Sequence, residues 1–192
     1  MPAGSVAALI LAGGRATRMG GGDKPLLTVG GKPLLAHILA ALHPLPVAIS
    51  ANGDPARFAA FSCPVLDDGA FVGEGPLAGV LAGLDWAAAN GHATLLTVPG
   101  DTPFIPGALA AALAPAPACA ASLGRTHPLV ALWPVSWRAD LRAWLSRPGP
   151  RSVAGFALPR GMRIVDFRMC GDDLFRNLNT PDDVAAARRG VG

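Results

Sequence analysis

Near the start of the chain, three cations and one carboxylate lie inside a glycine-rich stretch that has the makings of an anion cradle. The stretch is LILAGGRATRMGGGDKPLL, residues 9–27, in which Gly13, Gly14, Gly20, Gly21 and Gly22 surround Arg15, Arg18, Asp23 and Lys24. Glycine has no Cβ to block an anion or forbid positive φ, so backbone N–H groups can converge on it, and the cations neutralise it. The preceding run, Val6–Leu11, is apolar and β-like, so the loop reads as the end of a buried strand. That arrangement predicts a phosphate cradle with a triphosphate as guest; the plain alternative is a flexible surface loop. Spacing excludes two better-known cradles. A P-loop needs Lys followed by Ser or Thr, and Gly31-Lys32 is followed by Pro33. The dinucleotide fingerprint opening directly into a helix is also absent.

Asp101 is the next residue that suits such chemistry. It follows the apolar run Thr94–Val98 in the sequence VPGDTPFI. A carboxylate at a strand end suits Mg²⁺, which takes one or two carboxylates and fills its shell with phosphate oxygens and water. The alternative is a turn-starting Asp before Thr102-Pro103. Asp67 and Asp68 end a shorter strand, either beside a nucleotide or as a solvated strand end. Gly73–Gly79 leads into a helix whose N-terminus could receive a polar ligand edge. There Gly79 permits close backbone approach to a ligand, or tight packing.

These residues need a scaffold, and the chain alternates strand and helix patterns that predict a mostly parallel, three-layer α/β/α sheet of Rossmann-like type. Strands are expected at Val6–Leu11, Pro46–Ser50, Pro64–Leu66 and Thr94–Val98, with helices at Pro33–Leu42 and Pro76–Asn90, each opening on proline. A short helix or turn is expected at Phe58–Phe61. Beyond Asp101 the expectations are a short helix Pro106–Leu113 and strands Ala118–Leu123 and Leu129–Trp133 around a Gly124–Pro128 turn. A helix Ser136–Ser146 capped by Ser136, a strand Met162–Phe167 and a final helix from Thr180-Pro181 complete the pattern. Ligands in open α/β sheets bind beyond the carboxyl ends of strands. Gly13–Lys24, Ser50–Asn52, Asp67–Asp68 and Gly100–Asp101 are therefore expected along one edge.

Composition narrows the class. The length of 192 residues predicts one domain, in which the polar strand ends up to Asp101 suggest a nucleotide-binding half over about 1–105, followed by a second half over about 106–192. Hydrophobic content is 51% and mean hydropathy +0.40, yet much of this is alanine, and no uncharged apolar run reaches the ~20 residues of a spanning helix. The positive charges follow the first apolar run, the wrong order for a signal peptide, so a cytoplasmic protein without membrane association is expected. Cys63, Cys119 and Cys170 are far apart, and neither they nor the four histidines have metal-ligand spacing. A net charge of +3 suits an anionic small substrate and falls short of a nucleic-acid footprint.

The ordered set L-A-G-G-x-x-x-R-M-G-x-x-D-K resembles the signature of the nucleotidyltransferases that form molybdopterin dinucleotides, most of all the molybdenum cofactor guanylyltransferase family. Gly75-Pro76-Leu77-Ala78-Gly79, Asp101-Thr102-Pro103, His127-Pro128 and Asn177-Leu178-Asn179-Thr180-Pro181 follow in that family's order. The resemblance implies transfer of GMP from GTP to the molybdenum-loaded pterin with release of pyrophosphate, assisted by Mg²⁺. It implies partners downstream as well, molybdoenzyme apoproteins or cofactor chaperones. By the same resemblance, Leu11, Ala12, Gly13 and Gly14 meet the nucleotide. Arg18 and Lys24 neutralise its phosphates, Ser50, Asn52 and Asp68 hold the nucleoside, and Asp101 holds the metal. Asn177 and Asn179 lie by the pterin, or cap the last helix. The family often has asparagine where Ser50 stands. Arg125, Arg151, Arg160 and Arg163 are further candidates for the anionic acceptor. Rival readings are a molybdopterin cytidylyltransferase, a sugar-1-phosphate nucleotidyltransferase and, in another class, a non-catalytic nucleotide-binding or cofactor-carrier module.

Overall fold

The apolar residues of the strands alternate in two sets, and each set finds its own helical layer. In the computed structural model, residues 5–13, 24–167 and 174–178 are described. β1 (Val6–Leu11) pairs in parallel with β4 (Val47–Ser50) and with β6 (Thr94–Pro99), and β4 pairs in parallel with β5 (Val65–Leu66). β8 (Arg125–Pro134) runs antiparallel between β6 and β7 (Ala118–Ser122), and β9 (Arg163–Asp166) returns parallel to β7. The order in this seven-stranded sheet is β5-β4-β1-β6-β8-β7-β9. Both halves of the chain thus share one sheet.

Ala7, Leu9, Leu95 and Trp133 face one layer, built from α2 (Pro76–Ala89), α4 (Arg138–Leu145) and α5 (Val153–Ala157). Ala8, Ile10, Ile49 and Leu96 face the opposite layer, with α1 (Leu34–Leu42) and α3 (Leu109–Leu113). Two-residue periodicity is what a sheet buried on both faces requires. Among the described residues, no helix is long and apolar enough to cross a membrane.

Several boundaries depart from the sequence expectation. A small hairpin, β2 (Thr28–Val29) with β3 (Lys32–Pro33), precedes α1, and its turn uses Gly30 and Gly31 at φ +58° and +78°. Both central residues of such a turn need positive φ, which glycine supplies without strain. The β7–β8 turn is Leu123-Gly124, shorter than the expected Gly124–Pro128, and β8 already begins at Arg125. The helix expected from Pro106 starts at Leu109. Ser136 lies in a short 3-10 turn and caps nothing; the helical cap in this region is Ser152, whose hydroxyl accepts from the Gly155 N–H at the start of α5. The helix expected from Thr180 lies outside the described residues.

Candidate active site at the carboxyl edge of the sheet

Because β1, β4, β5, β6, β7 and β9 all point the same way, their carboxyl ends share an edge, and β8 begins there. The strand ends are tied to one another. The Ala12 N–H donates to the Ser50 carbonyl at 2.8 Å, Ala51 to Leu66 at 2.9 Å, and Gly100 to Leu11 at 2.9 Å. Four chain segments far apart in sequence are thereby brought into one rim.

Lys24 and Asp101 meet at this rim. The Lys24 ammonium donates to Asp101 Oδ2 at 2.6 Å, with side-chain exposures of 16% and 17%, so the pair is shielded but reachable from the edge. Lys24 enters from a 3-10 turn, Lys24–Leu26, whose Pro25 packs on Gly100. A Cβ at Gly100 would stand 2.7 Å from Pro25 Cγ and 3.2 Å from the Leu11 carbonyl oxygen. Only glycine lets these two strand ends and Pro25 close together.

The other nucleoside candidates are also joined. Asn52 Nδ2 donates to Asp68 Oδ2 at 2.6 Å, and the Asp68 backbone N–H donates to Asn52 Oδ1 at 3.0 Å. Arg57 holds the base of this pair by donating to the Asn52 carbonyl, and its guanidinium lies 5.0 Å from the Phe58 ring centre. Nothing in the local sequence marks Arg57 for that role. Ser50 is buried at the end of β4, and its hydroxyl fills the space beside Gly79, where a Cβ would lie 2.4 Å from Ser50 Oγ. Gly79 therefore packs α2 against β4, the tight-packing alternative of the two the sequence offered. At Gly13 a Cβ would meet nothing within 4 Å among the described residues. Gly14, Arg18 and Asn179 lie outside the described residues.

The second half of the chain supplies another cluster at the same edge. Ser122 Oγ and His127 Nε2 share a 2.8 Å hydrogen bond, and His127 lies 5.1 Å from the Phe175 ring. Thr102 donates to Asn177 Oδ1 at 3.1 Å, and the Leu178 N–H donates to the Asp101 carbonyl at 2.9 Å. Of the four arginine candidates, Arg151 is engaged by Glu74 at 2.7 Å. Arg160 stacks 4.2 Å from the Phe156 ring centre, and Arg163 donates to the Leu113 carbonyl at 2.9 Å. Those last two are structural; Arg125 stays exposed at the β7–β8 turn.

The donor set fits one divalent cation bound together with phosphates. Asp101 offers a single carboxylate whose Oδ1 has only a long 3.4 Å contact from Thr102, and no cluster of three His, Cys, Asp or Glu exists among the described residues. Mg²⁺ is suited to one protein carboxylate plus phosphate oxygens and water, whereas zinc requires three or four protein ligands.

A mostly parallel sheet with a shielded cation–carboxylate pair and polar strand ends along one edge is an architecture suited to an α/β nucleotidyltransferase. A family model described as the MobA-like NTP transferase domain matches residues 8–160, and the chain belongs to that family. A molybdenum cofactor guanylyltransferase of Acidiphilium cryptum is 55% identical over 192 residues, covering 98% of this chain and 97% of that one. One from Cereibacter sphaeroides is 51% identical over 185 residues, 93% of each chain. Among solved structures, molybdopterin-guanine dinucleotide biosynthesis protein A of Archaeoglobus fulgidus superposes with a TM-score of 0.72 at 21% identity, covering 96% of this chain and 98% of that one. A 2-C-methyl-D-erythritol 4-phosphate cytidylyltransferase of Thermus thermophilus gives 0.68 at 20%, with the same two coverages, and these two likenesses concern the fold.

Proposed function

We propose that this nucleotidyltransferase moves GMP from GTP onto the terminal phosphate of the molybdenum-loaded pterin, forming molybdopterin guanine dinucleotide and releasing pyrophosphate. The observation that carries the reading is the Lys24–Asp101 pair at the strand edge, in a chain 55% identical over nearly its whole length to a molybdenum cofactor guanylyltransferase.

An oxygen of the acceptor phosphate attacks the α-phosphorus of GTP. The bond from that phosphorus to the α–β bridging oxygen breaks, and pyrophosphate leaves with the electron pair. The attacking oxygen is already ionised, so no general base has to take a proton. This fits a site whose shielded charged groups are a lysine and an aspartate. Its work is alignment and neutralisation. Lys24 offsets charge on the leaving phosphates, aided by Arg18, and Asn52 holds Asp68 in position for the nucleoside. Asp101 would hold Mg²⁺, which when bound supplies charge neutralisation and alignment of the phosphate oxygens. The first half of the chain, about 1–105, holds GTP, and the acceptor takes the second half at the Ser122–His127 end of the sheet. A cytosolic setting, with molybdoenzymes or cofactor chaperones receiving the product, completes the proposal.

The test is a nucleotide screen with molybdenum-pterin and Mg²⁺, following pyrophosphate release. GTP should support turnover well above CTP and ATP. Preference for CTP would move the chain to the cytidylyl branch, and nucleotide binding without turnover would make it a carrier.

A further inference from the structure

Glu74 and Arg151 form an ion pair between the two halves of the chain, at the same edge of the sheet as the candidate site. β5 ends at that edge with Leu66, and α2 starts back from it at Pro76, so Glu74 lies on the rim. β8 ends at the opposite edge, where the Val135 N–H donates to the Ala93 carbonyl at 2.9 Å. α4 then returns toward the rim, and α5 leaves it at Val153 to reach the start of β9, so Arg151 lies on the rim as well. There Arg151 Nε donates to Glu74 Oε2 at 2.7 Å, with side-chain exposures of 19% and 43%.

The two ends of this contact are held very differently. Arg151 Nη1 also donates to the Gly149 carbonyl at 3.2 Å, and the next residue, Ser152, caps α5. Glu74 stands between Gly73 and Gly75, whose φ values are +91° and +80°. Glycine restrains its own backbone least, so a loop with glycine on both sides of Glu74 depends on contacts made elsewhere for its shape. Among the described residues, no side chain caps the α2 N-terminus that follows. The first turns of α2 rest on the ends of β1 and β4: a Cβ at Gly79 would stand 3.2 Å from Leu11 Cδ2 and 2.4 Å from Ser50 Oγ. Contacts this close transmit strain, so a shift at Gly75-Pro76 is felt at Leu11 and Ser50.

We propose that Arg151 is a positioning residue for the nucleotide: through Glu74 it braces the start of α2 from the second half of the chain, and so holds the Leu11 and Ser50 strand ends in the arrangement that binds GTP. The proposal rests on the guanylyltransferase reading. Arg151 touches no substrate in this role and serves the nucleotide, not the acceptor.

Calorimetry with GTP and Mg²⁺, steady-state kinetics with GTP and molybdenum-pterin varied in turn, and thermal melts on full-chain variants test it. Glu74→Gln keeps the shape and removes one charge; Arg151→Gln removes the other. Each should weaken GTP binding about threefold to fivefold, the size of one half-exposed ion pair, and leave KM for the pterin within about twofold. The double variant should be no worse than either single one. The exchange of Glu74→Arg with Arg151→Glu should return GTP affinity to within about twofold of wild type. Unchanged GTP affinity in Glu74→Gln, whatever its Tm, overturns the brace, and this half-exposed substitution decides the matter should an arginine variant fail to fold. A raised pterin KM in Arg151→Gln but not in Glu74→Gln sets the guanidinium on the acceptor and overturns it too, as do additive losses in the double variant or an exchange that rescues nothing. Absence of turnover in a wild type that binds GTP overturns the functional reading alone, since calorimetry still decides the brace. Absence of GTP binding by wild type overturns both.

Discussion

Gly100→Ala is the sharpest steric probe of the site, because glycine is there for closeness and not for backbone conformation. A Cβ would stand 2.7 Å from Pro25 Cγ, 3.3 Å from Pro25 Cβ and 3.2 Å from the Leu11 carbonyl oxygen, where ordinary contact begins at 3.4 Å. Relief requires Pro25 to move by about 0.7 Å, the difference between 3.4 and 2.7 Å. The ring is closed and the Leu11 oxygen is backbone, so neither yields by rotation. Overpacking of this kind costs about 1–3 kcal/mol. For a chain of 192 residues that lowers Tm by about 2–12 °C. The functional effect is expected to be larger, since Lys24 precedes Pro25 and its ammonium must stay within reach of the phosphates. Displacements approaching 1 Å cost up to about 10²-fold in rate, so kcat/KM should fall by roughly 10- to 100-fold at temperatures where the variant is fully folded. Thermal melts and pyrophosphate-release kinetics separate the two effects. Gly107→Ala is the control, because its Cβ would meet only the Ala41 carbonyl oxygen at 3.6 Å. Adding Pro25→Ala removes the closest atom, Cγ, and should recover part of both losses. Wild-type kcat/KM in Gly100→Ala would refute the claim that the Pro25–Gly100 contact positions Lys24.

Lys24→Met keeps the stem and deletes the charge; it should lower kcat/KM by on the order of 10²-fold and, by stripping Asp101 of its partner, cost about 1–3 kcal/mol in a urea melt. Activity that merely tracks unfolding would make the lysine structural. Asp101→Asn should retain the fold and lose most turnover, most severely at limiting Mg²⁺; near-normal rates there would return Asp101 to a turn residue. Asn52→Ala releases Asp68 from its 2.6 Å partner and should weaken GTP binding in calorimetry about fivefold to tenfold, with little change in Tm. Unchanged affinity would remove that pair from the nucleoside site. Burial pushes the Cys63 and Cys119 thiols above their ordinary range, which keeps them protonated at neutral pH, and the thiolate is the reactive form. Cys119, fully buried, should resist iodoacetamide in the native protein and react in urea; rapid native alkylation seen by mass spectrometry would contradict the packing of β7.

Local signals were enough for the first half of the sheet. β1 begins and ends where its apolar run does, and α2 opens on Pro76, the expected first helical residue. β8 was harder because glycine and proline are turn signals. Only its last part, Ala131–Pro134, pairs with β6, so Pro128 lies where β8 has β7 on one side alone and a missing N–H costs no bond to β6. α5 is five residues long with Gly155 inside it, too short for periodicity to register. Lys24 and Asp101 were each legible from their loops, but their pairing across 77 positions was not. The same holds for Ser50 against Gly79 and for Thr102 against Asn177. Such contacts arise from strand order, which single-segment patterns do not encode.

The central claim is that the bond to the α-phosphorus of GTP is broken here and its GMP moved to the pterin. GTP labelled at the α-phosphorus, incubated with the protein, molybdenum-pterin and Mg²⁺, tests it directly. The label should appear in molybdopterin guanine dinucleotide, one equivalent per pyrophosphate released, and GTP labelled at the γ-phosphorus should leave the pterin unlabelled. Retention of the α-label in free nucleotide, or its transfer from CTP in preference to GTP, would contradict the account.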